Sequence, residues 1–258
     1  YWPVLIKYRC SARCGNCARP PDKDDLARIK SNIDSGWPEG LWFPKVPIPE
    51  TSDEVGRVRR SGVESFHQLF TWRNLLAIAM LRKYATEKIP PSFRDKFMFM
   101  LTGSLPRASI INKYIPRLGM APGPIIGTMY VPSFYPELNV FRLFARKGRD
   151  VINAARAADA ESISGNERAA CVSTQSATDL SNVPDESVDY VFTDPPFGRN
   201  IQYSELNLLW EAWLGSITDP AQEAVVSQSQ GKTVEAYGRL MAQSFNEIHR
   251  VLRPGRWF

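Results

Sequence analysis

Two consecutive prolines, Pro195 and Pro196, interrupt an apolar run in the stretch "VDYVFTDPPFGRNIQYSELNLLW", residues 188–210. Each lacks a backbone N–H and fixes φ, so sheet pairing cannot continue through them. The residue before each proline is also driven into an extended conformation. The chain is therefore expected to run as a buried strand to about Thr193. It would then present Asp194 and Phe197 on a stiff loop at the carboxyl end of that strand, where open α/β sheets bind ligands. The ordinary alternative is a tight Asp-Pro turn after a core strand.

The surroundings of that loop alternate between the two periods. "AACVSTQSATDL" (residues 169–180) predicts a strand leading into a polar turn, with Cys171 as a buried strand residue. "YSELNLLWEAWLG" (203–215) predicts a short helix with Leu206, Leu209, Trp210 and Trp213 on its apolar side. "TVEAYGRLMAQSFNEIHRVLRPG" (233–255) predicts a long helix begun by Thr233 and Glu235, ended by Pro254-Gly255 and followed by a strand at "RWF". Strands separated by helices imply an α/β fold with a parallel sheet covered on both faces.

The first part of the chain has a different character. Residues 18–60 are rich in proline, glycine and charge, with one short helix expected over Asp24–Ser31. A helix follows, capped by Thr71 and stopped by Pro90-Pro91, with Leu75, Leu76, Met80 and Leu81 as its apolar members. A second is expected over Ser92–Leu101, then a short strand in "GPIIGTMYVPSF" (123–134). "NVFRLFARKGRDVINAARAADA" (139–160) is amphipathic, with Val140, Phe141, Phe144, Val151 and Ile152 on the apolar side. Its Arg142, Arg146, Arg149 and Arg156 make a basic face that could meet phosphate or be simply solvated.

Composition bounds the possibilities. With 258 residues, 43% of them hydrophobic, the chain can bury a sizeable core. A net charge of +5 permits nucleic acid as a partner without requiring it. No apolar run reaches the roughly 20 residues of a membrane span, and no secretory signal pattern is present, so the cytoplasm is the expected compartment. The chain opens on Tyr1 and closes on Phe258 directly after "VLRPGRW", and is expected to be a piece of a longer protein. Cys10, Cys14 and Cys17 fall together in "YRCSARCGNCARPP". Such spacing beside a glycine suits a zinc-binding turn with a fourth ligand elsewhere, or reduced thiols in a basic loop.

Asp194-Pro195-Pro196-Phe197 resembles the (D/N/S)PP(Y/F/W) signature of S-adenosylmethionine-dependent amino-group methyltransferases. The wider pattern, from "FHQLFTWRNLLA" through "SATDL" and "NLLWEAWLG" to "RVLRPGRW", resembles the DNA methylase family that carries a cysteine-bearing insert. The resemblance implies transfer of a methyl group from S-adenosyl-L-methionine to the exocyclic amine of adenine (N6) or cytosine (N4) in duplex DNA. It implies a partial Rossmann-like class I methyltransferase sheet in residues 166–258, with a mostly helical, loop-rich insert in residues 1–165. The first and last strands of the sheet would lie outside the chain. So would the glycine-rich loop that cradles the cofactor's methionine end, since "APGPIIGT" lacks its strand and helix context.

The chemistry accounts for the residue types. A base amine is a poor nucleophile because its lone pair is delocalised into the ring. The Asp194 carboxylate and the Pro195 carbonyl could each accept one N–H hydrogen, favouring a pyramidal nitrogen. Pro196 would stiffen the turn, and Phe197 would stack on a base rotated out of the duplex. By resemblance, Asp179 sits near the cofactor's adenine amine, or serves as a turn residue. Asn200, Tyr203 and Ser204 lie near enough to touch the target nucleotide, although Ser204 could instead cap the following helix. Two rivals stand beside this expectation: an RNA methyltransferase of the tRNA guanine-N2 type, and a non-catalytic nucleic-acid-binding fragment. A restriction-modification or phage-defence partner is left open.

Overall fold

A computed structural model describes residues 3–9, 16–124, 129–163 and 171–258. The chain begins with an antiparallel pair, β1 (Ile6–Arg9) and β2 (Asn16–Arg19). Helix α1 (Lys23–Asp34) starts at Asp22, whose carboxylate accepts the Asp25 amide while the Asp25 carboxylate accepts the Asp22 amide. This reciprocal cap satisfies two of the donors a helix start leaves open. Arg19 bonds the Asp25 carboxylate, tying β2 to the helix.

After the short α2 (Gly56–Arg60), the helical body is built from α3 (Trp72–Glu87), α4 (Pro91–Thr102) and the brief α5 (Leu105–Ala108). Thr71 caps α3 through its hydroxyl as expected, and Pro91 opens α4 where its missing N–H costs nothing. A hairpin follows, β3 (Asn112–Ile115) with β4 (Met120–Pro124), then α6 (Val140–Ile163) packs back on α3, α4 and α5. Phe97 of α4 and Phe144 of α6 stack with ring centroids 4.6 Å apart. A Cβ on Gly148 would lie 2.9 Å from the Met100 methyl, so glycine lets α4 and α6 approach closely.

The remaining elements are β5 (Val188–Tyr190), α7 (Tyr203–Leu214), α8 (Val234–Val251) and β6 (Leu252–Trp257). β5 and β6 are parallel neighbours, with both helices in the crossover between them. Their register jumps from Val188↔Leu252 to Tyr190↔Trp257, because the intervening Pro254-Gly255 bulges out of the ladder. The fold is thus mixed α/β, and among the described residues its strands form two-stranded sheets only. The main core joins the first helices to α7: Ile48, Phe66, Leu69, Ile78, Leu101 and Leu105 share it with Leu206, Leu209 and Trp213.

Several expectations need correction. Residues 171–176 form no strand, and Cys171 is exposed rather than buried. Val172 is 93% exposed. Local β-propensity cannot hold a strand without a ladder partner, and no described strand lies against the other edge of β5. For the same reason β5 is not buried: Tyr190 is exposed and Phe192 is 84% exposed. The strand expected in 123–134 lies earlier, as β4, although residues 125–128 fall outside the described set. β6 begins at Leu252, before the "RWF" expected to open it, and α8 ends at Val251 rather than at Pro254-Gly255. Met80, Phe141 and Ile152 are exposed, because the contact faces of α3 and α6 are rotated toward Ile78 and Ala79 and toward Leu143 and Phe144.

Candidate functional site

β5 ends at Tyr190, and a last ladder bond, from the Val191 amide to the Trp257 carbonyl (3.1 Å), guides the chain off the sheet. Residues 192–197 then run without regular structure to a turn at Gly198. Gly198 has φ +64°, a left-handed conformation that glycine adopts without strain. Two carbonyls of this segment are engaged. That of Pro196 accepts the Tyr237 hydroxyl of α8 at 2.7 Å, and that of Gly198 accepts the Val226 amide at 3.1 Å. The Asp194 carboxylate and the Pro195 carbonyl bond no described residue. Asp194 is exposed, and the Phe197 ring is 72% exposed. The loop is held at two points of its far half while two oxygens and one ring remain available.

The loop runs into α7 across a polar network in which Gln202, Ser204, Glu205 and Ser227 are buried. Gln202 is the N-cap; its amide donates to Glu54 and its side-chain amide to Asp53. The Ser227 hydroxyl reaches both Asp53 and Gln202 (3.3 Å each). Ser52 and the Glu54 amide both donate to the Glu205 carboxylate, at 2.6 and 2.9 Å. Carboxylates gathered at this helix start face the positive end of the α7 dipole. Burial pushes Glu54 above the usual carboxylate range, with the nearby Glu205 and Asp53 charges adding to it and the Gln202 amide opposing it. Burial lowers the Lys232 ammonium below its usual value; it donates to the carbonyls of Pro220 and Glu223.

The sequence candidates are distributed as follows. Asp194, Pro195, Pro196 and Phe197 form the loop itself. Asn200 and Tyr203 are exposed just beyond it. Ser204 is buried instead, with its amide (3.0 Å) and hydroxyl (2.6 Å) both donated to Glu223, and it does not cap α7. Asp179 stands on a separate turn, where its carboxylate accepts the Ser181 amide at 3.0 Å. The Ser181 hydroxyl, and after it that amide bond, lower it below the ordinary aspartate value. The turn is fastened to the far end of α8: the Leu180 amide donates to Glu247, and Arg250 donates to the carbonyls of Leu180 and Val183. Tyr237 and Glu247 are ten residues apart, so the two anchors are separated by about 15 Å along the helix. α8 therefore acts as a spacer between the Asp194 loop and the Asp179 turn.

Of the cysteines, Cys10 and Cys14 lie outside the described residues, and Cys17 is half-buried on β2. Among the described residues no group of three or more His, Cys, Asp or Glu side chains is arranged around a common point for a metal. The ties made by Tyr237, Val226 and the Asp53–Glu54 segment were not anticipated. Nothing local in the sequence pairs Tyr237 with a carbonyl 41 residues away.

Two expected results follow from the anchors. Tyr237→Phe removes one hydrogen bond, about 0.5–1.5 kcal/mol, and should speed hydrogen exchange at the Val226 amide without unfolding the chain. Glu247 is held down to about 2 by the Arg250 guanidinium and the Leu180 amide. A depressed acid contributes stability above its unfolded value, near 4.3, and loses it as pH falls toward the folded one. The Leu180 amide should therefore lose exchange protection between about pH 4 and pH 2, while Val226 keeps its protection.

No protein-family model, curated protein or solved structure matches this chain.

Proposed function

We propose that the chain carries the amine-methylating part of an S-adenosylmethionine-dependent DNA methyltransferase, acting on N6 of adenine or N4 of cytosine. The observation that carries the proposal is the division of labour in one loop. The Pro196 and Gly198 carbonyls are spent on Tyr237 and Val226, whereas the Asp194 carboxylate and the adjacent Pro195 carbonyl bond no described residue. Two acceptors on one stiff turn suit the two hydrogens of a nucleobase NH2 group. Accepting both hydrogens pyramidalises the nitrogen and directs its lone pair outward. The acceleration would come from orientation and fixed dipoles rather than from a strong base.

The exposed Phe197 ring suits a base swung out of the duplex, and Asn200 and Tyr203 flank the same loop. In this account Ser204 acts at one remove, by fixing the first turn of α7 on Glu223. The parallel β5–β6 pair, with its helical crossover, supports the finer reading of two neighbouring strands from a Rossmann-like sheet. Residues 1–165 are then the insert and 166–258 the partial catalytic core.

The donor's role is to supply the methyl group. Asp179 offers an acceptor for its adenine amine, but the chain contains no glycine-rich cradle for its methionine end. The residues present do not make a complete cofactor site.

Phe197→Ala should weaken binding of a duplex whose target adenine or cytosine is mismatched, and so flips readily, by about 1–3 kcal/mol. Fluorescence anisotropy reads this directly. The function itself is tested by incubating the full-length protein with methyl-labelled donor and either duplex DNA or tRNA. Label in DNA supports the proposal; label in tRNA alone supports the guanine-N2 reading; label in neither supports a binding module.

A further inference from the structure

Arg142, Arg146, Arg149 and Arg156 are all exposed on α6. At 3.6 residues per turn they fall within an arc of about 80°, and Arg142 to Arg156 spans about 21 Å along the axis. None of the four guanidinium groups bonds or pairs with a described residue. Several arginines elsewhere are engaged (Arg59 with Glu50, Arg73 with Glu137, Arg250 with Glu247 and Asp185, Arg253 with Asp189), and those that are not, such as Arg28, Arg117 and Arg239, do not line up four to one helix face. Even Asp150, one turn beyond Arg146, forms no ion pair with it. Like charges at this spacing repel and disfavour the helix that bears them. An evenly spaced anion would relieve that repulsion.

The partner's chemistry follows from what lies on the other side of the helix. A helix that binds a lipid surface needs a free apolar face beneath its basic one. The inner side of α6 is already occupied: Val140 is buried, Phe144 stacks on Phe97, and Gly148 lies against Met100, which leaves Phe141 and Ile152 as the large apolar side chains exposed beside the arginines, too narrow a strip to seat the helix in a bilayer. What remains is a rigid row of planar forks that match phosphate oxygens two at a time. Each strand of a DNA duplex carries a phosphate every 3.4 Å of axis while winding about it, so a straight row of four arginines lies within reach of several phosphates. We propose that the arginine face of α6 docks on the phosphate backbone of duplex DNA, giving affinity and orientation without reading sequence. The choice of DNA over other duplexes rests on the methyl-transfer reading; the demand for a phosphate lattice rests on α6 alone.

The test is binding of a fluorescent duplex of roughly 30 base pairs at several salt concentrations, by anisotropy, with no methyl donor present. Each arginine that neutralises one phosphate contributes about 0.9 to the slope of log affinity against log salt. The variant R142Q/R146Q/R149Q/R156Q should lose roughly 3 to 4 from that slope and on the order of 100-fold in affinity near 0.1 M salt. The all-lysine variant R142K/R146K/R149K/R156K keeps the charges and should recover most of the slope. A control, K23Q/R28Q/K30Q/K88Q, removes the same charge from α1 and the end of α3 and should change the slope by less than about 1. Retained slope in the glutamine variant, or an equal loss in the control, overturns the proposal. So does glutamine-sensitive binding to vesicles of anionic phospholipid or to duplex RNA in place of DNA. Binding is read without donor and methyl transfer is read from labelled nucleosides, so absence of label with the slope loss intact sinks the methyl-transfer reading alone, and a failure of this surface is told apart from it.

Discussion

Asp194→Ala is expected to abolish methyl transfer to DNA while the protein melts at the temperature of the unsubstituted chain. The side chain is exposed and bonds no described residue, so its removal costs the folded state little. Its proposed work is confined to the transition state, where it accepts a hydrogen from an amine that is becoming tetrahedral. Removing one preorganised partner of developing charge typically costs 10²–10³ in turnover, about 3–4 kcal/mol. Asp194→Asn keeps an acceptor oxygen but loses the charge and introduces a donor, so it should fall between the two. Initial rates with labelled donor, set beside thermal melting, separate the effects. Unchanged turnover in the alanine variant removes Asp194 from the chemistry.

Trp213→Ala should destabilise the chain by about 3–5 kcal/mol, a large share of the 5–15 kcal/mol typical of a domain. Trp213 is fully buried on α7, edge-on to Trp42 (6.1 Å) and Phe70 (5.9 Å). Arg82 binds it into the surrounding shell: its Nε donates to the Trp213 carbonyl at 3.0 Å, and its guanidinium lies 3.9 Å over the Trp42 ring. Burial of this much ring against one charged strut lowers the Arg82 pKa. The indole Nε1 is buried without a partner among the described residues. Trp213→Phe therefore removes an unsatisfied donor along with some volume, and should cost much less than the alanine change. Denaturant unfolding measures both. An alanine variant within about 1 kcal/mol of the unsubstituted chain would show that α7 is not keyed into the helical core as described. Since α7 starts at Tyr203, five residues after the Gly198 turn, loosening it should also cost activity at temperatures where the fold survives.

The features legible in the sequence are those decided by a few neighbouring residues. Thr71 and Thr233 announce helix starts, Pro90-Pro91 announces a stop and then a start, and the doubled proline after Thr193 announces a loop. Strands were less legible. "CVSTQ" has the side chains of a strand, but a strand exists only beside another, and β5 has its described neighbour on the β6 side alone. Helix faces were half legible: Leu75 and Phe144 point inward as expected, yet Met80 and Phe141 do not, because packing partners choose the face within an apolar arc. In the site, the loop residues could be named from local chemistry. The ties that hold the loop could not, since Tyr237, Val226 and Glu223 reach it across 41, 28 and 19 residues. Ser204 illustrates the same limit. Its type and place suit a cap or a nucleotide contact, and only the fold reveals Glu223 as its partner.

The most direct measurement is the chemical identity of the product. Duplex DNA incubated with the full-length protein and methyl-labelled S-adenosylmethionine would be digested to nucleosides and separated. The account predicts label on the exocyclic nitrogen of adenine or cytosine, and none there with Asp194→Ala. Label on a ring carbon, where no amine needs two hydrogen-bond acceptors, would contradict it.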